Sequence, residues 1–372
     1  MGMDTATSVC IVGAGVAGLT CASVLHGNGL SVRLLEAHNT VGGRVRSVTA
    51  EDGSHLGDLG PSWVWPPYQQ RLAVWLEKLG VSTWPQYEQG DGCMDSKPGK
   101  AAERMLIPGQ HGQHRPLGGP QAIVDSLQAS LSEQIIQTGC RVLSIKQHND
   151  GVTLITEQGD AIETEIVVLA VPLRIAIRDI RFDPPLTPAI SRLCESAPTW
   201  MAAQAKALIV YDRPFWRDAG FSGRIASTLG PLVEAHDHSG PDGLPGALVG
   251  FVGLDTNSRH QVTHRHGEAA LANAVIDQLV RCFGDQATTA QFVRIEDWAC
   301  DPYVTTSLDI KTPGGHPAIL PESLRQPLWD GQLHFAVSET ANVSPGLLEG
   351  AFVAGEQTAR EILANRSALD MQ

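Results

Sequence analysis

Residues 8–36 read SVCIVGAGVAGLTCASVLHGNGLSVRLLE. The apolar run Val9 to Val12 has the length of a buried strand, and Leu19, Ala22, Ser23 and Leu25 recur behind it at helix spacing. Between them stand Gly13, Gly15 and Gly18. In such a turn the first glycine permits the sharp bend, the second admits a pyrophosphate against bare backbone, and the third lets helix and strand pack closely. The phosphates then meet the positive end of the helix. A second strand over residues 30–35 ends on Glu36, about twenty residues on, where a carboxylate can grip a ribose hydroxyl. The order strand, glycines, helix, strand, acid predicts a βαβ dinucleotide-binding unit that prefers a ribose without a 2′-phosphate.

Glycines alone do not separate one dinucleotide from another. The residues after Glu36 continue AHNTVGGRVRS, and Gly42-Gly43-Arg44 offers two bare backbones and a guanidinium to the far side of a phosphate. With this turn the chain resembles the flavin amine oxidase family, the monoamine oxidase-like branch of the FAD enzymes. The resemblance continues through Ser54 to Trp63, Pro116 to Pro120, Ala205 to Trp216, Glu296 to Tyr303 and Leu333 to Gly355. It implies an α/β fold: an FAD-binding Rossmann-like domain (1–75, 116–195 and 301–372) with a discontinuous α+β substrate domain (76–115 and 196–300).

The 372 residues suffice for two domains and a large core. Forty acidic against 27 basic residues give a net charge of −13, which disfavours nucleic acid and anionic membrane surfaces as partners. Seven cysteines without CxxC or framework spacing read as reduced thiols. No apolar run approaches the roughly 18 residues of a spanning helix, and no signal peptide is recognised, so a cytoplasmic protein is expected.

Local periodicity predicts helices over 68–79, 121–137 and 268–283, a hairpin of strands over 140–147 and 151–157, and a buried strand over 166–171. Residues 84–116 read as loops with at most a short hairpin, where relatives carry a longer substrate-covering segment. Residues 257–259 read as loop. His236 and His238 sit in what reads as a solvated Gly/Pro turn, and Arg174 and Arg178 as surface charges. His260, His264 and His266 contain an i,i+4 pair, yet no third ligand of suitable spacing is evident, so no metal is expected.

The resemblance also carries roles. Gly60, Ser62 and Trp63 fall in the segment that passes beneath the flavin ring, and Val142 in the strand that meets the adenine. Trp298 and Tyr303 mark the return to the FAD domain, Glu339 the pyrophosphate region, and Leu348 the helix start at the flavin N1/O2 edge. Lys206 matches the family lysine that holds a water at flavin N5, and is the candidate catalytic residue. The positions of the family's two substrate-framing aromatics fall on Leu308 and Leu347, and that of the covalent tether near Ser307, so noncovalent FAD is expected. The implied reaction is oxidation of a small amine by O2, and a homodimer is the commonest arrangement. The two leucines leave open a desaturase or dehydrogenase with another acceptor, and the scaffold also admits a noncatalytic binder.

Overall fold

The computed structural model describes residues 7–267, 269–312 and 314–370. Two sheets organise the chain. The eight-stranded sheet runs Arg181–Asp183, Val142–His148, Gly151–Thr156, Ala161–Leu169, Thr7–Val12, Val32–Leu35 and Ile136–Gln137, with Leu333–Phe335 also pairing on Ala161–Leu169. Its core is parallel: Val9 to Val12 pair with Ile166 to Leu169 on one side and with Val32 to Leu35 on the other. Strands buried on both faces read as continuous apolar runs, which is how residues 9–12 appear in the sequence.

The helix Val16–Gly27 lies between this sheet and the long helix Leu348–Asp370, and eight of its residues are buried. Two glycines set how closely these layers approach. A Cβ at Gly18 would run into the Gly13 carbonyl, and one at Gly355 into the Ala17 carbonyl. The helix Gln70–Leu79 closes the same core, with Trp75 stacked on Phe352 at 5.2 Å, and stops at Gly80 in the left-handed region.

The second sheet has seven strands, in the order Phe292–Asp297, Ala205–Tyr211, Gly246–Val252, Leu232–Asp237, Phe221–Ser227, Asp91–Asp95 and Glu103–Met105. Every residue of Ala205–Tyr211 is buried, and the helix Ala269–Phe283 packs its Leu271, Val275 and Leu279 into the same core. The expected helix start at residue 268 lies outside the described residues.

Several expectations are corrected here. The helix after Pro120 is Gln121–Ala129 only, because Ile136 and Gln137 leave it to pair with Leu34 and Leu35, while Leu131 and Ile135 fill the core between. Residues 84–116 are more than loop: two of their strands extend the seven-stranded sheet, and His114–Pro116 pairs with Thr83–Pro85. Residues 257–259 are helical, inside Thr256–His266, since the Asp255 side chain caps the Ser258 amide. His236 belongs to a strand, and both His236 and His238 are buried.

Candidate active site

One cavity of about 600 Å³ is lined both by the glycine turn and by Lys206. At its nucleotide end Glu36 is 6% exposed. Its Oε2 accepts from the Ala14 amide at 2.7 Å and its Oε1 from the His38 amide at 2.8 Å, so both oxygens are held rigidly at the cavity wall. The turn itself is bare: a Cβ on Gly15 would come within 3.9 Å of the Gly43 Cα, and Gly15 bridges Gly42. No side chain caps the start of Val16–Gly27. Its first amides therefore need an outside acceptor, and a phosphate group is one.

Arg44 faces the cavity but its donors are already engaged. Nη1 and Nη2 grip the two oxygens of Glu339 at 2.6 and 3.0 Å, Nη2 also reaches Ser338 Oγ, and Nη1 the Trp200 carbonyl. Burial would raise the Glu339 carboxyl, and the Arg44 charge and hydrogen bonds more than reverse it. Glu339 thus holds Arg44 from behind, outside the cavity lining, and its Oε1 also accepts from the Trp200 amide.

At the other end Lys206 is 3% exposed, and its Nζ donates to the Gly60 carbonyl at 2.7 Å and to Ser62 Oγ at 2.5 Å. Burial pushes its ammonium down to about 7, against the pull of Asp58 and with the repulsion of Arg115. Trp63 and Phe251 stand 5.4 and 5.6 Å from Nζ. Asp58, behind this wall, is desolvated yet held well below the usual carboxylate range by hydrogen bonds from His238 and His55. Buried His238 is kept neutral by desolvation and by Arg115.

Of the residues singled out from sequence, Gly13, Gly15, Glu36, Gly43, Arg44, Gly60, Ser62, Trp63, Val142, Lys206, Trp298, Tyr303, Leu347 and Leu348 line this one cavity. Gly18 packs beneath the turn, and Glu339 backs Arg44. Leu308 is displaced: it lies on the short helix Ser307–Lys311, 42% exposed and away from the cavity, because Asp309 of that helix is drawn inward by Arg174. Arg174 is accordingly no surface charge: it is 7% exposed and bonds Asp309 at 2.7 Å. Asp309 also accepts from the Thr199 amide, which fixes the approach to Trp200. Arg178 is a surface charge as expected: it is exposed, and it holds the carbonyls of Pro302 and Thr305.

Sequence reasoning missed Trp200, His316, Glu234, His236 and Phe251, all of which line the cavity. Trp200 and His316 rings lie 5.1 Å apart beside Gly346, where a Cβ would crowd Pro317 and Trp200. Only the nearness of Trp200 to Lys206 in sequence could have pointed to any of them. His260, Asp297 and Cys300 bring ligand atoms within 4.8 Å of one another, but Arg259 holds both Asp297 oxygens at 2.7 and 2.6 Å. Both Asp297 oxygens are thus already engaged by a guanidinium.

A βαβ glycine turn, a carboxylate closing its second strand and a buried lysine share one cavity, an arrangement that suits a dinucleotide-dependent oxidoreductase. Residues 96–363 match the family of flavin containing amine oxidoreductases, and residues 11–79 match the NAD(P)-binding Rossmann-like domain. The chain belongs to the flavin amine oxidoreductase family, and FAD is its cofactor. It is 25% identical over 97% of its length, and 98% of the other chain, to the "Probable flavin-containing monoamine oxidase A" of Dictyostelium discoideum. Its fold is shared with cyclohexylamine oxidase from Brevibacterium oxydans, with a TM-score of 0.80 at 20% identity over 97% of this chain and 100% of that one. Putrescine oxidase bound to putrescine gives a TM-score of 0.78 at 21% identity over 96% of this chain and 99% of that one. Among the described residues no helix is long and apolar enough to cross a membrane.

Proposed function

We propose that this chain oxidises a small amine at the Lys206 end of the cavity, with dioxygen as final acceptor. For a primary amine, one molecule each of amine, dioxygen and water gives one each of carbonyl compound, ammonia and hydrogen peroxide. The bound flavin supplies the two-electron acceptor at N5 and the route of those electrons to oxygen. Everything else falls to the protein. Glu36 holds the ribose, Gly13, Gly15 and Gly43 leave room for the pyrophosphate, and the uncapped helix start meets its charge. Val142 and Tyr303 would flank the adenosine end, and Trp298 lines the same cavity. Leu348, opening the last helix, places a helix N-terminus where negative charge gathers on reduction.

The observation that carries this reading is Lys206, buried in the cavity wall with two fixed oxygens on its Nζ and two aromatic rings close by. Such a group can orient a water and present a proton or a positive charge to reduced oxygen. The walls around it, Trp63, Trp200, Phe251 and Leu347, exclude bulk water and favour the neutral amine that oxidation requires. The reading through a different acceptor drew on a pair of leucines at the substrate. With Leu308 at the surface, only Leu347 of that pair lines the cavity. FAD is held without a covalent bond in this account, the two sheets mark the proposed domain division, and a cytoplasmic homodimer is the proposed setting.

The test is stoichiometry with the purified yellow protein: one O2 consumed and one peroxide released per carbonyl formed. Carbonyl formed without oxygen consumption, dependent on an added acceptor, would make the enzyme a dehydrogenase. A colourless protein that refuses added FAD would make it a binder.

A further inference from the structure

One row of side chains crosses the seven-stranded sheet at the substrate end. Lys206 pairs with Phe251, and Phe251 pairs with Glu234, on three adjacent strands. Directly paired residues project from the same face, and two strand spacings separate the first from the last by roughly 10 Å. His236, two residues beyond Glu234, shares that face. All four line the cavity.

His236 fixes the outer end of this row. It is 4% exposed, stands edge-on to Trp63 with ring centroids 4.8 Å apart, and meets Glu234 Oε1 through Nε2 at 2.5 Å. Glu234 itself is half-exposed, with its carboxyl held below the usual range first by the His236 hydrogen bond. It remains an anion at neutral pH. The other carboxylates of the lining are occupied at the nucleotide end, Glu36 by backbone amides and Asp179 by Arg141 and Arg178. Nearby Arg224 is already paired with Glu88 at 2.6 Å. Among the described residues, the substrate end of the lining therefore carries one carboxylate, two strands from a lysine, across an aromatic floor.

That polarity sorts the two ends of a ligand. A cation is repelled from Lys206 and drawn to Glu234, while a neutral amine is tolerated between the aromatic walls. We propose that Glu234, positioned by His236, anchors a second ammonium group, so that the substrates are α,ω-diamines rather than simple alkylamines. The proposal rests on the amine-oxidising reading of the site and adds to it the substrate class.

The test compares the holoenzyme and its variants on 1,4-diaminobutane against n-butylamine and on 1,6-diaminohexane against n-hexylamine. Wild type should prefer one diamine over its alkylamine by at least about tenfold in kcat/KM. Glu234→Gln should raise KM for that diamine about tenfold, with kcat and the alkylamine KM changed less than about twofold. Glu234→Lys should raise the diamine KM further, and both variants should keep the flavin spectrum. His236→Gln should give an intermediate rise in diamine KM, with a smaller rise for the alkylamine. Wild type without a diamine preference, or Glu234→Gln impairing both substrates alike, would overturn the subsite and leave the amine reading intact. If no amine reduces the wild-type flavin, the amine reading itself falls and the subsite with it.

Discussion

The two ends of the cavity are built in different ways. At the nucleotide end much of the wall is backbone: Gly13, Gly15 and Gly43 face the space with nothing, and the carboxylate of Glu36 is clamped by two amides. At the substrate end the wall is side chains from separate strands, Lys206, Glu234, His236 and Phe251, joined by Trp63 and Trp200 from elsewhere in the chain. A backbone wall is fixed by local sequence and tolerates little change. A side-chain wall depends on sheet register and can be altered one residue at a time, so lesions at the two ends should separate cofactor retention from turnover.

The largest effect belongs to the backbone wall. Gly18→Ala would drive a Cβ into the Gly13 carbonyl, and the expected outcome is protein that is insoluble or colourless. At Gly27, the far end of the same helix, an added Cβ would meet nothing within 4 Å, so Gly27→Ala should keep full flavin absorbance and an equal or higher Tm. Equal flavin retention by the two variants would break the comparison.

Next comes Lys206→Met. Flavin content should be unchanged, while reoxidation of the reduced enzyme by air slows by roughly a hundredfold in stopped-flow absorbance, the scale of losing one preorganised electrostatic group. Loss of flavin together with rate would mean that Lys206 serves the cofactor end instead. A smaller change is expected from Glu36→Gln: FAD affinity, measured by titrating stripped protein, should fall by about tenfold, with kcat of the reloaded enzyme preserved.

The subtlest prediction uses pH. Lys206 titrates near 7 when folded and near 10.5 when exposed in the unfolded chain. Between those values the unfolded state binds the proton and the folded state does not, so unfolding free energy gains with rising pH. The penalty for burying the ammonium is therefore full below about 7 and fades toward 10.5. The Tm advantage of Lys206→Met over wild type should shrink across that window. In the same range the wild-type reoxidation rate should fall as pH passes 7, while that of the variant stays flat.

The same contrast explains what the sequence could disclose. The first βαβ unit is local, so strand, turn, helix and closing acid stand in reading order from Val9 to Glu36, and the structure has the elements in that order with Glu36 beside the turn. Lys206, Gly60 and Trp63 were legible only through family resemblance, since nothing in their spacing announces that Lys206 Nζ reaches the Gly60 carbonyl across 146 residues. Glu234 and His236 were hidden by a Gly/Pro-rich neighbourhood that reads as a turn, although the strand Leu232–Asp237 ends just before it. Leu308 was misplaced for a related reason. The Arg174–Asp309 bond that rotates its helix joins residues 135 apart, and no local pattern encodes it.

The central claim, that amines are oxidised at the Lys206 end of an FAD cavity, is tested most directly by anaerobic titration of the yellow protein with primary, secondary and aromatic amines, diamines and L-amino acids. One amine class should bleach the flavin band, and air should restore it with release of peroxide. A flavin that dithionite reduces readily but that no amine bleaches would contradict it.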